Sequence, residues 1–186
     1  MSHRQLVAGI GNIFMGDDGF GVEVVRQLAG RPLPPDVRVA DYGTRGIHLA
    51  FELLDHPDDL TVLVDATPRG GEPGTVYLVE PDVAALGAGA AGWADAHAMT
   101  PDAVFGLLRT LGGTPRRVLL VGCEPLRCDE ELGLSPPVAA AVEQAVTLIL
   151  DVLRREAGAG GPRPEESGAD AADRHAPLSG SSRFAP

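Results

Sequence analysis

The chain has 186 residues, of which 44% are hydrophobic and only 4% aromatic, so a single domain with an aliphatic core is expected. Its formal net charge of −11 at pH 7 repels phosphate backbones and anionic lipids, so we expect neither nucleic acid nor a membrane surface as a partner. Two cysteines are too few for a disulfide scaffold and are typical of a reducing compartment.

Strands and helices are predicted to alternate along the chain. Short apolar runs predict strands over residues 5–10, 37–40, 60–64, 75–79 and 118–121. Apolar residues at helical spacing predict helices over residues 20–28, 46–54, 100–111 and 136–155. Asp17 or Asp18 is a candidate cap for the first helix, and Thr100 for the third. Such alternation implies an α/β fold with a mostly parallel sheet and helices on both sides.

The end of the chain has a different composition. From Ala157 onward it is largely Gly, Ala, Pro, Ser and scattered charge, which cannot bury enough apolar surface to offset the entropy of ordering. We therefore predict a folded domain over residues 1–156 and a disordered tail over residues 157–186. No signal-peptide pattern and no run of about 18 apolar residues occurs, so a cytoplasmic protein is expected, by default a monomer.

Three loops follow predicted parallel strands at their carboxyl ends, where ligands bind in such sheets. They cover residues 9–21, 41–46 and 65–67. The first begins like a dinucleotide-binding turn, but Phe14 stands where the third glycine of G-x-G-x-x-G is needed, and Asp17 and Asp18 would repel a pyrophosphate. A nucleotide-binding enzyme that uses Gly9 and Gly11 is therefore only an alternative, and the paired carboxylates favour a cation.

Asp65 and His97 are candidate partners of the first-loop acids. Asp65 follows an almost wholly apolar strand, where a carboxylate is costly unless it is hydrogen-bonded, paired or bound to metal. A lone histidine before a helix, as at His97, is more often a packing or capping residue. Together, however, Asp18, Asp65 and His97 form a ligand set suited to a divalent first-row metal ion. Cys123 and Cys128 do not have a zinc-site spacing, so we predict that both are free thiols.

Several segments resemble the nickel–iron hydrogenase maturation endopeptidases, in that family's order along nearly the whole predicted domain. They are Gly9-x-Gly11-Asn12-x-x-x-x-Asp17-Asp18-Gly19-x-Gly21, Asp41-x-Gly43-Thr44-x-Gly46, Val62-Leu63-Val64-Asp65-Ala66, Val121-Gly122-Cys123-Glu124-Pro125 and Gly133-Leu134-Ser135-Pro136. His97 lies where that family has a histidine preceding a helix.

The resemblance implies a three-layer α/β/α fold, phosphorylase/hydrolase-like, with a mostly parallel five-stranded sheet and one antiparallel strand. It also implies an endopeptidase, of aspartic type, that removes a C-terminal extension from a nickel–iron hydrogenase large-subunit precursor once nickel is in place. The family's metal contacts carry over to Asp18, Asp65 and His97, with the nickel recognised on the substrate. Its second loop carries over to Asp41, Gly43 and Thr44, which would lie near the substrate.

Two hypotheses of different classes follow for the site. In the first, a metal-polarised water cleaves the peptide with Asp18 or Asp65 as general base. The sequence shows no Ser, Cys or Thr nucleophile beside a base and no H-E-x-x-H motif, so other protease mechanisms are not indicated. In the second, the same residues bind the nickel-loaded precursor without turnover. The plainest alternative is an α/β domain whose acids are only caps.

Overall fold

A five-stranded sheet lies at the centre of the described part of the chain. The computed structural model describes residues 4–85 and 100–159. The strands are β1 (Gln5–Ile10), β2 (Val37–Gly43), β3 (Leu60–Ala66), β4 (Val76–Val79) and β5 (Val118–Cys123). Their order is β2-β1-β3-β5-β4, and every neighbouring pair is parallel except β4 and β5. The predicted mostly parallel sheet with one antiparallel strand is therefore confirmed.

Helices cover both faces of this sheet. They are α1 (Phe20–Leu28), α2 (Gly46–Asp55), α3 (Pro101–Thr110) and α4 (Pro136–Ala159). Because alternate residues of a strand point to opposite faces, the strands contribute to two separate cores. One core contains Val7 and Val62 and packs against α1 and α4, while the other contains Leu6 and Leu63 and packs against α2 and α3. The three-layer α/β/α architecture is confirmed.

Three strands continue past the apolar runs that predicted them. β2 extends to Gly43, β3 to Ala66 and β5 to Cys123. The polar residues continue the ladder because their backbones still have partners across the sheet: Asp65 pairs with Gly122, and Asp41 pairs with Gly9. Asp41 and Asp65 therefore belong to strands rather than to loops, which holds their backbones in place.

The start of α1 differs from the prediction. A 3-10 turn, Gly16–Gly19, precedes the helix, and the N-cap of α1 is Gly19, with no side-chain hydrogen bond. The prediction that Asp17 or Asp18 caps α1 was wrong, because both carboxylates bond to other groups. Thr100 does cap α3, since its side chain accepts a hydrogen bond from the Ala103 N–H at 3.3 Å.

Helix α4 is a core helix. Its length and composition alone would suit a membrane span. One face is nevertheless buried against the sheet, through residues that include Val138, Val142, Val146, Ile149 and Leu153. The helix runs to Ala159 rather than ending at residue 155 as predicted, and the remainder of the predicted tail lies outside the described residues.

Two glycines bring the start of α1 unusually close to the sheet. A Cβ atom on Gly21 would lie 2.1 Å from the backbone oxygen of Val64, and one on Gly9 would lie 2.4 Å from the backbone oxygen of Gly21. Only glycine permits backbones to approach this closely. The first loop is thereby placed over the carboxyl ends of β1 and β3, where the sequence predicts the site.

Candidate active site

Asp65 forms the floor of the candidate site. It lies near the carboxyl end of β3, the central strand, and its side chain is buried. Burial raises the pKa of Asp65 to about 8; the charge of Asp18 adds to the increase, and a hydrogen bond from the Ala66 N–H opposes it. While no cation is near, this carboxyl group therefore keeps its proton in most molecules at pH 7.

Asp18 reaches the same place from the first loop. The loop folds tightly at Gly11, whose φ is 125° and where a Cβ atom would lie 1.9 Å from the backbone oxygen of Asp18. The Asn12 N–H donates a hydrogen bond to Asp18 Oδ2 at 2.6 Å, which holds the side chain. Asp18 and Asp65, two of the three predicted metal ligands, therefore lie at the same edge of the sheet, near enough for the charge of Asp18 to raise the pKa of Asp65.

His97, the third predicted ligand, lies outside the described residues. Within residues 4–85 and 100–159, no three His, Cys, Asp or Glu side chains converge well enough to hold a metal ion. The structure therefore describes two of the three predicted ligands, Asp18 and Asp65. Thr100, which follows His97 by three positions, lines a mainly apolar cavity of about 350 Å³ together with Asp65.

The second loop lies beside the first. The Gly11 N–H donates a hydrogen bond to the Gly43 oxygen at 3.1 Å. Asp41 forms an ion pair with Arg26 of α1 at 3.5 Å, and Thr44 is exposed. The second loop therefore lies at the same edge of the sheet as Asp18. Contact of its residues Asp41, Gly43 and Thr44 with the substrate stays a prediction.

Asp17 has a different role from its neighbour Asp18. It is fully buried, and its carboxylate accepts hydrogen bonds from the N–H groups of Leu126, Arg127 and Ser135 at 2.8, 3.1 and 2.6 Å and from the Ser135 hydroxyl at 2.9 Å. Burial alone would raise the pKa of Asp17, but these hydrogen bonds outweigh it and lower the pKa. Asp17 thus stays ionised and fastens the segment after β5 to the first loop, and both of its oxygens already accept hydrogen bonds there.

Cys128 lies at the site, which the sequence did not indicate. Cys128 is exposed, but the protein around its thiol still desolvates it in part. This desolvation, followed by the charges of Asp18, Asp17 and Asp65, raises the pKa of Cys128, although a hydrogen bond from the Asp18 backbone opposes the increase. The thiol therefore stays protonated and is not an activated nucleophile. Cys123, by contrast, is fully buried in β5. Both are free thiols, as predicted.

Glu124 is a second residue whose role the sequence did not reveal. Its buried carboxylate accepts hydrogen bonds from the Arg69 N–H at 2.8 Å, the Gly70 N–H at 3.1 Å and the Tyr77 hydroxyl at 2.8 Å. These contacts fix the turn that follows β3 and so support the strand end that carries Asp65. The sequence showed Glu124 only as part of a segment that resembles the family. Its role could not be predicted because its hydrogen-bond partners are about 50 positions away in the chain.

Known proteins similar to this chain are concentrated in one family. The family model described as hydrogenase maturation protease matches residues 22–152. The hydrogenase expression/formation protein HupD of Bradyrhizobium diazoefficiens is 35% identical over 184 residues, which cover 98% of this chain and 88% of that protein. The hydrogenase 2 maturation protease of Escherichia coli is 32% identical over 154 residues, which cover 81% of this chain and 91% of that protein.

Solved structures show the same relationship. The hydrogenase maturating endopeptidase HybD of Escherichia coli matches with a TM-score of 0.68 at 32% identity, over 82% of this chain and 93% of that one. The NiFe hydrogenase maturation protease HycI of Thermococcus kodakarensis matches with a TM-score of 0.62 at 26% identity, over 82% and 93%. These relatives favour the peptidase over the nucleotide-binding enzyme and over the non-catalytic binding module. The chain therefore belongs to the hydrogenase maturation protease family, which cleaves the C-terminal extension of the hydrogenase large subunit, and it is a peptidase.

Proposed function

We propose that this peptidase cleaves the large-subunit precursor of a nickel–iron hydrogenase only after nickel has been inserted, and that Asp18, Asp65 and His97 recognise the nickel on the precursor. The observation that carries this proposal is the pairing of the Asp18 and Asp65 carboxyl groups over the carboxyl ends of β1 and β3. A divalent cation near both groups favours their ionised forms and offsets the repulsion that the second negative charge would otherwise cause.

The proton on Asp65 offers a physical link between recognition and cutting. With its pKa raised to about 8, Asp65 keeps the proton while the precursor site is absent or lacks metal. A nearby nickel ion favours the ionised form, so the proton is released as the loaded precursor binds. The freed carboxylate is then available as a ligand and as a base.

The position of His97 along the chain supports its place in the recognition set. Thr100 and Asp65 line the same cavity, and three residues span at most about 11 Å. An imidazole beside two carboxylates also forms a ligand set that suits nickel. We therefore assign the third contact to His97.

In the proposed hydrolysis, Asp65 is the general base. A water molecule attacks the scissile carbonyl carbon, and the Asp65 carboxylate accepts its proton. The carbon–nitrogen bond then breaks, and the proton passes to the nitrogen of the leaving peptide. Asp41, Gly43 and Thr44, at the same edge of the sheet, are the proposed contacts for the precursor tail. Free thiols persist in a reducing compartment, so the two free cysteines support a reaction in the cytoplasm. We propose that the enzyme acts as a monomer.

The test compares nickel-loaded and nickel-free precursor by intact mass after incubation with the enzyme. We expect loss of one C-terminal peptide from the loaded form only. Asp18→Asn, Asp65→Asn and His97→Ala should each slow this cleavage by at least about 100-fold, whereas His48→Ala, at an exposed position of α2, should not. Cleavage of both forms at one rate would remove nickel recognition, and full activity in all three variants would remove the assigned site.

A further inference from the structure

Two large apolar side chains are exposed in a cleft beside the candidate active site. Phe14, in the first loop, is 64% exposed, and Leu132, in the segment between β5 and α4, is 73% exposed. They line this cleft, here called the Phe14–Leu132 cleft, together with Asn12, Met15, Glu130 and Glu131. Burying exposed aromatic and aliphatic groups stabilises association, so such a pair marks an interaction surface more often than an isolated exposed leucine does.

The Phe14–Leu132 cleft is continuous with the site. Asn12 lines the cleft, and its N–H is the donor to Asp18 Oδ2 at 2.6 Å. Met15, which also lines the cleft, accepts a hydrogen bond from the Asp18 N–H at 3.2 Å. Whatever binds the cleft therefore lies against the residues that hold Asp18.

The two walls of the cleft are fastened to each other. The Gly16 N–H donates a hydrogen bond to the Glu131 oxygen at 2.7 Å, and the Asp17 N–H donates one to the Arg127 oxygen at 3.1 Å. The buried Asp17 carboxylate adds its contacts to Leu126, Arg127 and Ser135. A surface that is already fixed loses little conformational entropy on binding, so its exposed apolar groups are preorganised for a partner.

Leu132 also lines a second cavity. Its volume is about 400 Å³, and its lining includes Ile13, Leu134 and Val142. Leu132 therefore contributes to two recesses, and a bulky apolar side chain of a partner can enter beside it. The acids Glu130 and Glu131 stand at the cleft, and Arg127 offsets one of them by an ion pair with Glu131 at 2.6 Å. The partner surface that fits is apolar with basic residues around it.

We propose that the Phe14–Leu132 cleft docks the folded body of the hydrogenase large-subunit precursor, through apolar side chains flanked by lysine or arginine, so that the precursor tail reaches Asp18 and Asp65. The inference rests on the proposed function. A second copy of this chain is a poorer occupant, because it would be acidic at an acidic cleft and would block the site at Asp18. The precursor, in contrast, has to approach Asp18 in order to be cut.

The test measures binding separately from cutting. Binding of nickel-free precursor is measured first, since that form is expected to stay uncut, and the KM and kcat for the loaded form are measured second. Phe14→Ser and Leu132→Ser should each weaken binding and raise KM by about ten-fold, with kcat unchanged. Matched controls are Phe51→Ser on α2, at 42% exposure, and Leu78→Ser on β4, at 46% exposure, which should change either quantity less than two-fold.

The outcomes separate the docking surface from the peptidase chemistry. Equal losses in the cleft and control variants, or a wild-type chain that binds neither form of the precursor, would overturn the docking proposal. A change from dimer to monomer in the cleft variants, measured by light scattering, would also overturn it, because the occupant would then be a second copy. Binding that depends on Phe14 and Leu132 without any cutting of the loaded form would support the docking surface and contradict the proposed function.

Discussion

Burial and a neighbouring negative charge act on the Asp65 carboxyl group in the same direction. Its pKa rises from 3.8 to about 8 on folding. Between these two values the folded chain holds a proton that the unfolded chain releases, so the free energy of unfolding decreases as the pH rises. The contribution of protonated Asp65 to the free energy of unfolding is fully present below pH 3.8 and is lost as the pH rises through about 8. The candidate base thus lowers the stability of the fold at neutral pH.

Replacing Asp65 with asparagine should remove this pH dependence. Because the amide does not titrate, we expect Asp65→Asn to unfold at a higher urea concentration than the parent at pH 8, with a gain of at least about 1.4 kcal/mol, the free energy of one pKa unit. The measurement is urea unfolding at pH 5 and pH 8 with a chelator present. Asp102→Asn, an exposed acid of α3, is the control and should keep the decline of the parent. Parallel pH profiles for the parent and Asp65→Asn would contradict the assigned cause.

The buried carboxylate of Asp17 joins the 3-10 turn before α1 to the segment before α4, in addition to two backbone hydrogen bonds between them. Three N–H groups and one hydroxyl donate to it, and its pKa is lowered although burial alone would raise it. In Asp17→Asn an amide NH₂ would face these donors, so we expect a loss of about 3 kcal/mol in the free energy of unfolding at pH 7. Asp129→Asn, an exposed acid in the same segment, should change it by less than about 0.5 kcal/mol.

The pH dependence of the Asp17 contribution has the opposite sign to that of Asp65. Because the pKa of Asp17 is lower in the folded chain, the unfolded chain takes up a proton first as the pH falls. The stabilisation that Asp17 provides is therefore present above pH 3.8, the ordinary pKa of an aspartate, and is lost as the pH falls through the pKa of the folded chain. The difference between the parent and Asp17→Asn in urea unfolding should therefore shrink below about pH 4. A difference that stays constant down to pH 3 would show that lost packing, rather than the charge, is responsible.

Element boundaries were predictable where periodicity alone decides them. β1 and α1 begin and end as predicted, since their apolar residues are bounded by polar residues or by turns. Three strands, β2, β3 and β5, extend beyond their predicted ends because backbone pairing continues through Asp41, Asp65 and Gly122. The sequence does not reveal this pairing, since it depends on the backbone and not on the side chain.

Part of the candidate site was also predictable. Asp18 and Asp65 were expected to lie near each other because the carboxyl ends of parallel strands meet at one edge of a sheet. The roles of Asp17, Glu124 and Cys128 depend on contacts between distant parts of the chain, for which no local pattern exists.

At the scale of the whole molecule, the described residues build one core on each face of the sheet. Both faces of the sheet are covered by α1 to α4, and the last core side chain, Leu153, precedes the end of α4 at Ala159. The 160–186 segment contains four acidic and three basic residues, so its removal leaves the net charge at −10. A chain that ends at Ala159 thus keeps the described buried side chains and nearly all of the net charge.

We accordingly expect a chain that ends at Ala159 to fold and to cut like the full chain. Its midpoint of thermal unfolding should lie within about 2 °C of the parent value, because surface changes away from packed groups alter stability by less than about 0.5 kcal/mol. A chain that ends at Leu148 is the matched control. It loses the fully buried Ile149 and Leu153, whose removal costs at least about 2 kcal/mol each, so it should unfold near or below room temperature. A drop of more than about 5 °C for the chain ending at Ala159 would mean that the 160–186 segment contacts the domain. Unchanged stability with slower cleavage would instead mean that the 160–186 segment contacts the precursor, because the segment would then matter only in the complex.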